Sequence, residues 1–227
     1  MSHIEVEMQQ LKAEIVEMWN LVSAQMKTAM VALAKMDKEL AKEILNNEKK
    51  VNSLELKIDR ECENIFALHN PVANDLRLVL ALLRINANLE RIGDIAASVA
   101  KFINKSDGFD YKNLVEETHA LEMFEEACDL VEDVKASFET ENTRLAESIF
   151  KRDRTLNELN KNARAIIIAH IKKDPENVES FLAFLAIIRK LERSGDQSKS
   201  IAEELIFFIE AKVLKHAPKA ESTKPNH

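Results

Sequence analysis

The sequence predicts an all-α protein of six long helices, arranged as two tandem, pseudo-symmetric three-helix bundles. Three observations carry that reading. Glycine and proline are scarce, 3 and 4 residues among 227, so few positions interrupt a helix. Charged residues make up 31% and aromatics 5%, and apolar positions recur with helical period along most of the chain. One hexapeptide also occurs twice within helical patterns, as Leu89-Glu90-Arg91-Ile92-Gly93-Asp94 and Leu191-Glu192-Arg193-Ser194-Gly195-Asp196.

The first helix runs from Ile4 to about Leu33, with Met8, Leu11, Ile15, Met18, Val22, Met26 and Leu33 on one stripe. The second runs from about Asp37 to Ala67 through Ile44, Val51, Leu54, Ile58, Cys62 and Ile65. Asn70-Pro71 reads as a cap followed by proline at the first position of the third helix, which continues to about Ile103. Asn104-Lys105-Ser106-Asp107-Gly108 breaks the pattern with turn residues. Leu114, Leu121, Phe124, Cys128, Val131 and Phe138 mark a fourth helix, and a fifth runs from about Asn142 to Ile171. Asp174-Pro175 then opens the sixth, which reaches about Val213. Residues 76–83 and 181–188 are apolar nearly all round, which places the third and sixth helices at the centre. The polar tail at 215–227, with Pro218 and Pro225 and no periodicity, is expected to be disordered.

The duplication shows in residues as well as pattern. Leu40-Ala41-x-x-Ile44-Leu45-x-x-Glu48-Lys49-x-Val51-Asn52 recurs as Leu145-Ala146-x-x-Ile149-Phe150-x-x-Asp153-Arg154-x-Leu156-Asn157, an offset of 105 residues against 102 at the hexapeptide. The missing residues fall most simply in the turn near Pro175. The units are therefore 1–105 and 110–214.

Composition excludes several classes of function. Net charge is −7 with a pI near 5.5, and the acids are interleaved with Lys and Arg, leaving no basic face for nucleic acid. The apolar run at 181–188 is far short of the ~20 residues that cross a bilayer. Cys62 and Cys128 read as small buried hydrophobes, and Met1-Ser2-His3-Ile4-Glu5 has no secretory character. The expectation is a soluble protein of the reduced cytoplasm. With no nucleophile elbow, phosphate-cradling loop or CxxC, covalent catalysis is not expected.

The chemistry gathers on two acidic stripes. Mid-helix glycine costs about 1 kcal/mol against alanine, and this chain accepts it twice. Gly93 is expected to clear space between Glu90 and Asp94, whose Cβ atoms at i, i+4 stand about 5–6 Å apart. On the second helix, Glu48, Asn52, Glu55 and Asp59 form a stripe beside the core. Antiparallel packing would bring the stripes together. Unpaired carboxylates about 4 Å apart repel by roughly 4 kcal/mol at an effective dielectric near 20, so the arrangement needs protons or a multivalent cation. Oxygen donors favour Mg²⁺, Mn²⁺ or Ca²⁺; divalent or trivalent Fe fits as well, and Zn²⁺ is less natural. The second unit offers Asp153, Asn157, Glu192 and Asp196, with Asn160 and Arg164 where the first has Glu55 and Asp59. The first site is therefore expected to bind more tightly.

The alternative is a solvated face whose acids pair with Arg or Lys. Arg91 and Arg193 are assigned to helix–helix salt bridges, with phosphate contact as the alternative. Glu116-x-x-His119 matches half of a di-iron motif, but no second copy exists. His69, before Asn70-Pro71, reads as structural.

The doubled LERxGD, preceded in the first unit by Pro71-Val72-Ala73-Asn74-Asp75-Leu76-Arg77, resembles the PhoU family over nearly the whole chain. The resemblance implies two symmetric three-helix bundles binding multinuclear metal clusters through E/D-x-x-x-D motifs. By position these are Glu90/Asp94, Glu192/Asp196, Glu48/Asn52 and Asp153/Asn157. The last two depart from the pattern in ending on asparagine, whose amide oxygen can ligate but adds no charge. The resemblance also implies a non-enzymatic negative regulator in the cytoplasm, a homodimer without nucleic-acid contacts that meets the membrane only through partners. Those partners would be the phosphate ABC transporter and the sensor histidine kinase of the phosphate response. The alternatives are an accessory protein of a sodium-dependent phosphate transporter or another membrane protein and, more remotely, a metal-dependent carboxylate enzyme or metal store.

Overall fold

A computed structural model describes residues 3–213. Helices α1 (His3–Lys35), α2 (Lys38–His69) and α3 (Ala73–Lys105) form the first unit. The second contains α4 (Lys112–Glu117), α5 (Ala120–Thr140), α6 (Thr143–Lys173) and, after a 3₁₀ turn at Pro175–Asn177, α7 (Val178–Glu210). No strand occurs among the described residues. The tail at 215–227, expected to be disordered, lies outside them.

The duplication extends to the hydrogen bonds of the turns. At the end of α1, Met36 adopts a left-handed φ of 49°, and the Met36 and Asp37 N–H groups donate to the carbonyls of Leu33 and Ala32. At the end of α5, Glu141 has the same φ of 49°, and Glu141 and Asn142 donate to Phe138 and Ser137. Both are helix-terminating Schellman turns, built here without glycine. Each next residue then caps the following helix: Asp37 accepts from the N–H groups of Glu39 and Leu40, Asn142 from those of Arg144 and Leu145.

Two expected elements differ. Asn70 ends α2 in the left-handed region (φ 45°) instead of opening α3, which starts at Ala73. Proline disfavours helical backbone in the residue before it, and asparagine tolerates the left-handed alternative. The fourth helix is split at His119, whose φ is 53°. The apolar period continues across the break, so the pattern gives no sign of it. His119 pairs with Glu122 at 3.2 Å, and Glu116 and His119 do not share one helix.

In the first unit α3 packs on α1 and α2; in the second α7 packs on α5 and α6. The units join through α3 against α7 and α1 against α5, so α1 shares the seam with the two helices expected at the centre. One continuous apolar core results. Across the seam, the buried Trp19 donates its indole N–H to the Val131 carbonyl at 3.0 Å, and Arg84 Nη1 donates to both carboxylate oxygens of the buried Glu204.

Candidate metal centre

The α2–α3 packing brings the two acidic stripes of the first unit together. Glu48 is buried; its Oε2 accepts from Gln25 of α1 at 2.7 Å, while its Oε1 has no partner. Burial raises the Glu48 carboxyl, Gln25 pulls it back, and the neighbouring Asp94 raises it further. Glu90 is pushed up to about 7 by burial and then by Asp94, Glu55 and Glu48, against a small offset from Arg91. Glu55 is raised by burial, Asp59 and Asp94. Glu48, Glu55, Glu90 and Asp94 thus lie in one another's field. Asp59 reaches the group only through Glu55; its Oδ1 accepts from Asn86 at 2.9 Å. Asn52 is exposed.

The second unit repeats the arrangement with more compensation. Asp153 is buried; its Oδ1 has no partner, and its Oδ2 accepts from Asn157 at 3.2 Å, with Lys199 at 3.9 Å. Burial and Asp196 raise the Asp153 carboxyl; Lys199 and Asn157 oppose them. Glu192 is raised by burial, Asp196 and Asp153, against Arg193 and Arg189. A pocket of 370 Å³ beside it is lined by Asn157, Asn160, Lys161, Arg164, Arg189, Glu192 and Arg193.

The glycines do something other than separate Glu90 from Asp94. A Cβ on Gly93 would meet Val51 Cγ1 at 3.2 Å, Val22 Cγ2 at 3.7 Å and Glu48 Oε2 at 3.8 Å. One on Gly195 would meet Leu156 Cδ1 at 2.6 Å and Asp153 Oδ1 at 2.9 Å. Both let a helix approach its neighbour closely enough to bury the first acid of that neighbour's stripe. The expectation of a gap between two acids of one helix is corrected: the missing side chain faces the packed neighbour.

Fit to a hard cation can be judged from the donors. They are oxygens only. Of three buried carboxylate oxygens without a hydrogen-bond partner among the described residues, two, Glu48 Oε1 and Asp153 Oδ1, occupy equivalent positions of the two stripes, while the third, Glu14 Oε2, lies outside them. An unpartnered buried carboxylate is costly, and a hard cation satisfies it without hydrogen bonds. The residues fit. Among the described residues no three of these carboxylates bring oxygens within 4.8 Å of one another, so the acids are gathered but not closed into a cage. Gln25, Asn86 and Lys199 were not expected here. A glutamine within the apolar stripe of the first helix was the available sign of the first.

A PhoU domain profile matches residues 15–103 and again 120–205. The chain belongs to the PhoU family. It is 29% identical over 216 residues to the phosphate-specific transport system accessory protein PhoU homolog 1 of Thermotoga maritima, covering 94% of this chain and 91% of that one. The PhoU accessory protein of Escherichia coli K12 is 26% identical over 210 residues, covering 92% and 86%. The crystal structure of PhoU from Pseudomonas aeruginosa superimposes with a TM-score of 0.83 at 28% identity, over 92% of this chain and 100% of that one. That of the phosphate transport system regulatory protein PhoU from Streptococcus pneumoniae gives 0.82 at 27%, over 93% and 99%. The PhoU match falls in both units, as the doubled hexapeptide implied. No helix among the described residues is long and apolar enough to cross a membrane.

Proposed function

We propose that this chain is a cytoplasmic, non-enzymatic regulator of phosphate uptake, a homodimer that restrains a phosphate ABC transporter and its sensor kinase when phosphate is plentiful. Relatives matched over nearly their full length carry the names of phosphate transport accessory proteins, which supports the setting. The observation that carries the metal-dependent part is the recurrence of an unpartnered buried carboxylate oxygen at Glu48 and Asp153. Glu48, Glu55, Glu90 and Asp94 would hold a hard cation in the first unit, with Asp59 and Asn52 at its margin. Asp153, Asn157, Glu192 and Asp196 would do so in the second. Such a cation supplies the positive charge that the stripes lack and ties α2 to α3 and α6 to α7. Mg²⁺, Mn²⁺, Ca²⁺ and divalent or trivalent Fe suit the oxygen donors better than Zn²⁺.

Deletion in the host should raise phosphate uptake and starvation-gene output in phosphate-replete medium. The wild-type gene should restore repression, and a Glu48→Ala, Asp153→Ala double variant that still folds should not. Unchanged reporter activity in the deletion strain would overturn the regulatory reading. Full repression by the double variant would overturn the metal-dependent part.

A further inference from the structure

Away from the acidic stripes, one end of the first bundle gathers two imidazoles and a carboxylate. His3 and Glu7 stand one turn apart at the start of α1, and His69 is the last residue of α2, which returns beside it. His3 Nδ1 lies 3.0 Å from Glu7 Oε1, and His69 Nε2 lies 2.8 Å from Glu7 Oε2. The rings stack at 5.4 Å with 23° between their planes. One ligating atom from each residue lies within 4.8 Å of the other two.

With the ring protonated, His69 and Glu7 form an ion pair. His69 Nε2 is buried and has no hydrogen-bond partner. With the ring neutral, the same nitrogen offers a lone pair beside the Glu7 carboxylate, and the three ligating atoms converge closely enough to meet one ion. A pocket of 280 Å³ reaches the cluster at Glu7; Gln10, Glu61 and Asn64 line its polar side and Val6, Ile65 and Leu68 its apolar side.

The donor chemistry selects the ion. Two imidazoles and one carboxylate form the three-ligand set of open zinc sites, which leave a fourth position for water or an exogenous ligand. Imidazole favours Zn²⁺, Ni²⁺, Co²⁺ and Cu²⁺ over Mg²⁺ and Ca²⁺. We propose that His3, Glu7 and His69 form a binding site for a borderline divalent cation of the Zn²⁺ type, distinct from the hard-cation stripes. A metal there clasps the start of α1 to the end of α2, next to the turn that leads into α3.

The test uses the full chain stripped with a chelator. Zn²⁺ affinity is read by competition with a chromophoric chelator, and Co²⁺ serves as a spectroscopic probe of nitrogen ligation. His69→Ala, His3→Ala and Glu7→Gln should each weaken Zn²⁺ binding by about tenfold or more, since loss of even an outer-shell partner costs 10–100-fold. Glu90→Ala should leave it unchanged, and excess Mg²⁺ should not displace the Co²⁺ spectrum. Circular dichroism verifies that each variant is helical, and Glu7→Gln keeps the side-chain shape should an alanine variant misfold. Wild-type Zn²⁺ affinity in both histidine variants would overturn the proposal. So would a loss that follows Glu90→Ala, or no uptake of Zn²⁺ at micromolar concentration; the last would leave an imidazole–carboxylate clasp alone.

Discussion

The two units share their backbone devices and differ in the charge at the positions that line one pocket of the second unit. In the second unit the pocket wall is Asn157, Asn160, Lys161, Arg164, Arg189, Glu192 and Arg193. The positions that match it in the first are Asn52, Glu55, Leu56, Asp59, Ala87, Glu90 and Arg91. Basic side chains dominate one and carboxylates the other. Yet the buried acid, the close-packed glycine, the Schellman turn and the polar cap occur in both. The difference teaches where a duplicated helical scaffold is constrained. Residues pressed between helices are set by packing, where a methyl group matters. The half-exposed rim is free to exchange glutamate for asparagine or aspartate for arginine.

The largest contrast should be mechanical. Gly195→Ala places a methyl 2.6 Å from Leu156 Cδ1 and 2.9 Å from Asp153 Oδ1, and overpacking of this kind costs about 1–3 kcal/mol. Gly93→Ala meets only a 3.2 Å contact with Val51, which the propensity gain of about 1 kcal/mol for alanine largely offsets. Urea unfolding of both variants checks this; equal midpoints would break the packing half of the comparison.

Cation binding comes next. Glu90→Ala should lower Mn²⁺ affinity by about tenfold, and Glu192→Ala by less, because affinity rises with the charge of the ligand set and Arg189 and Arg193 already offset Glu192. Calorimetric titration reads both. A larger loss from Glu192→Ala would mean that Glu55 and Asp59 add nothing to the first site.

A smaller effect concerns pH. The Glu90 carboxyl is raised from the usual 4.5 to about 7, so between those values the folded, metal-free protein holds a proton that the unfolded chain has released. Its contribution to stability is complete below about 4.5 and is lost as pH rises through about 7. In chelator, the thermal midpoint should fall between pH 5 and pH 8. Glu90→Gln should flatten the fall more than Glu192→Gln; the reverse order would locate the stronger desolvation in the second unit. Smallest of all, Asn160→Glu with Arg164→Asp gives the second unit the rim of the first and should raise its Mn²⁺ affinity a few-fold.

Most of the architecture was legible in the sequence because an uninterrupted helical period leaves little choice of element, and the doubled hexapeptide announced the duplication. The break at His119 was not, because no glycine or proline marks it. Asn70 was assigned to the wrong helix, since a cap residue before proline reads equally well as the end of one helix or the start of the next. In the candidate centre, the i, i+4 rule put Glu90 and Asp94 on one face of their helix, and that face lies in the field of Glu48 and Glu55. The partner of Gly93 could not be read that way: which residue faces a glycine depends on the register between helices, and no single-helix pattern carries it. The surroundings of His69 are illegible for a similar reason, since its neighbours His3 and Glu7 stand more than 60 positions away in the chain.

The chain has one tryptophan, and it sits where the halves meet, its indole bonded to the Val131 carbonyl and stacked 5.6 Å from Phe138. Its fluorescence is consequently an optical gauge of a single joint. A blue-shifted emission maximum signals that the two units are docked, and a red shift on heating or dilution in denaturant times their separation. Far-ultraviolet dichroism follows helix content throughout the chain. Coincidence of the two signals would mark one cooperative body; an earlier fluorescence transition would mark two bodies that part before either melts.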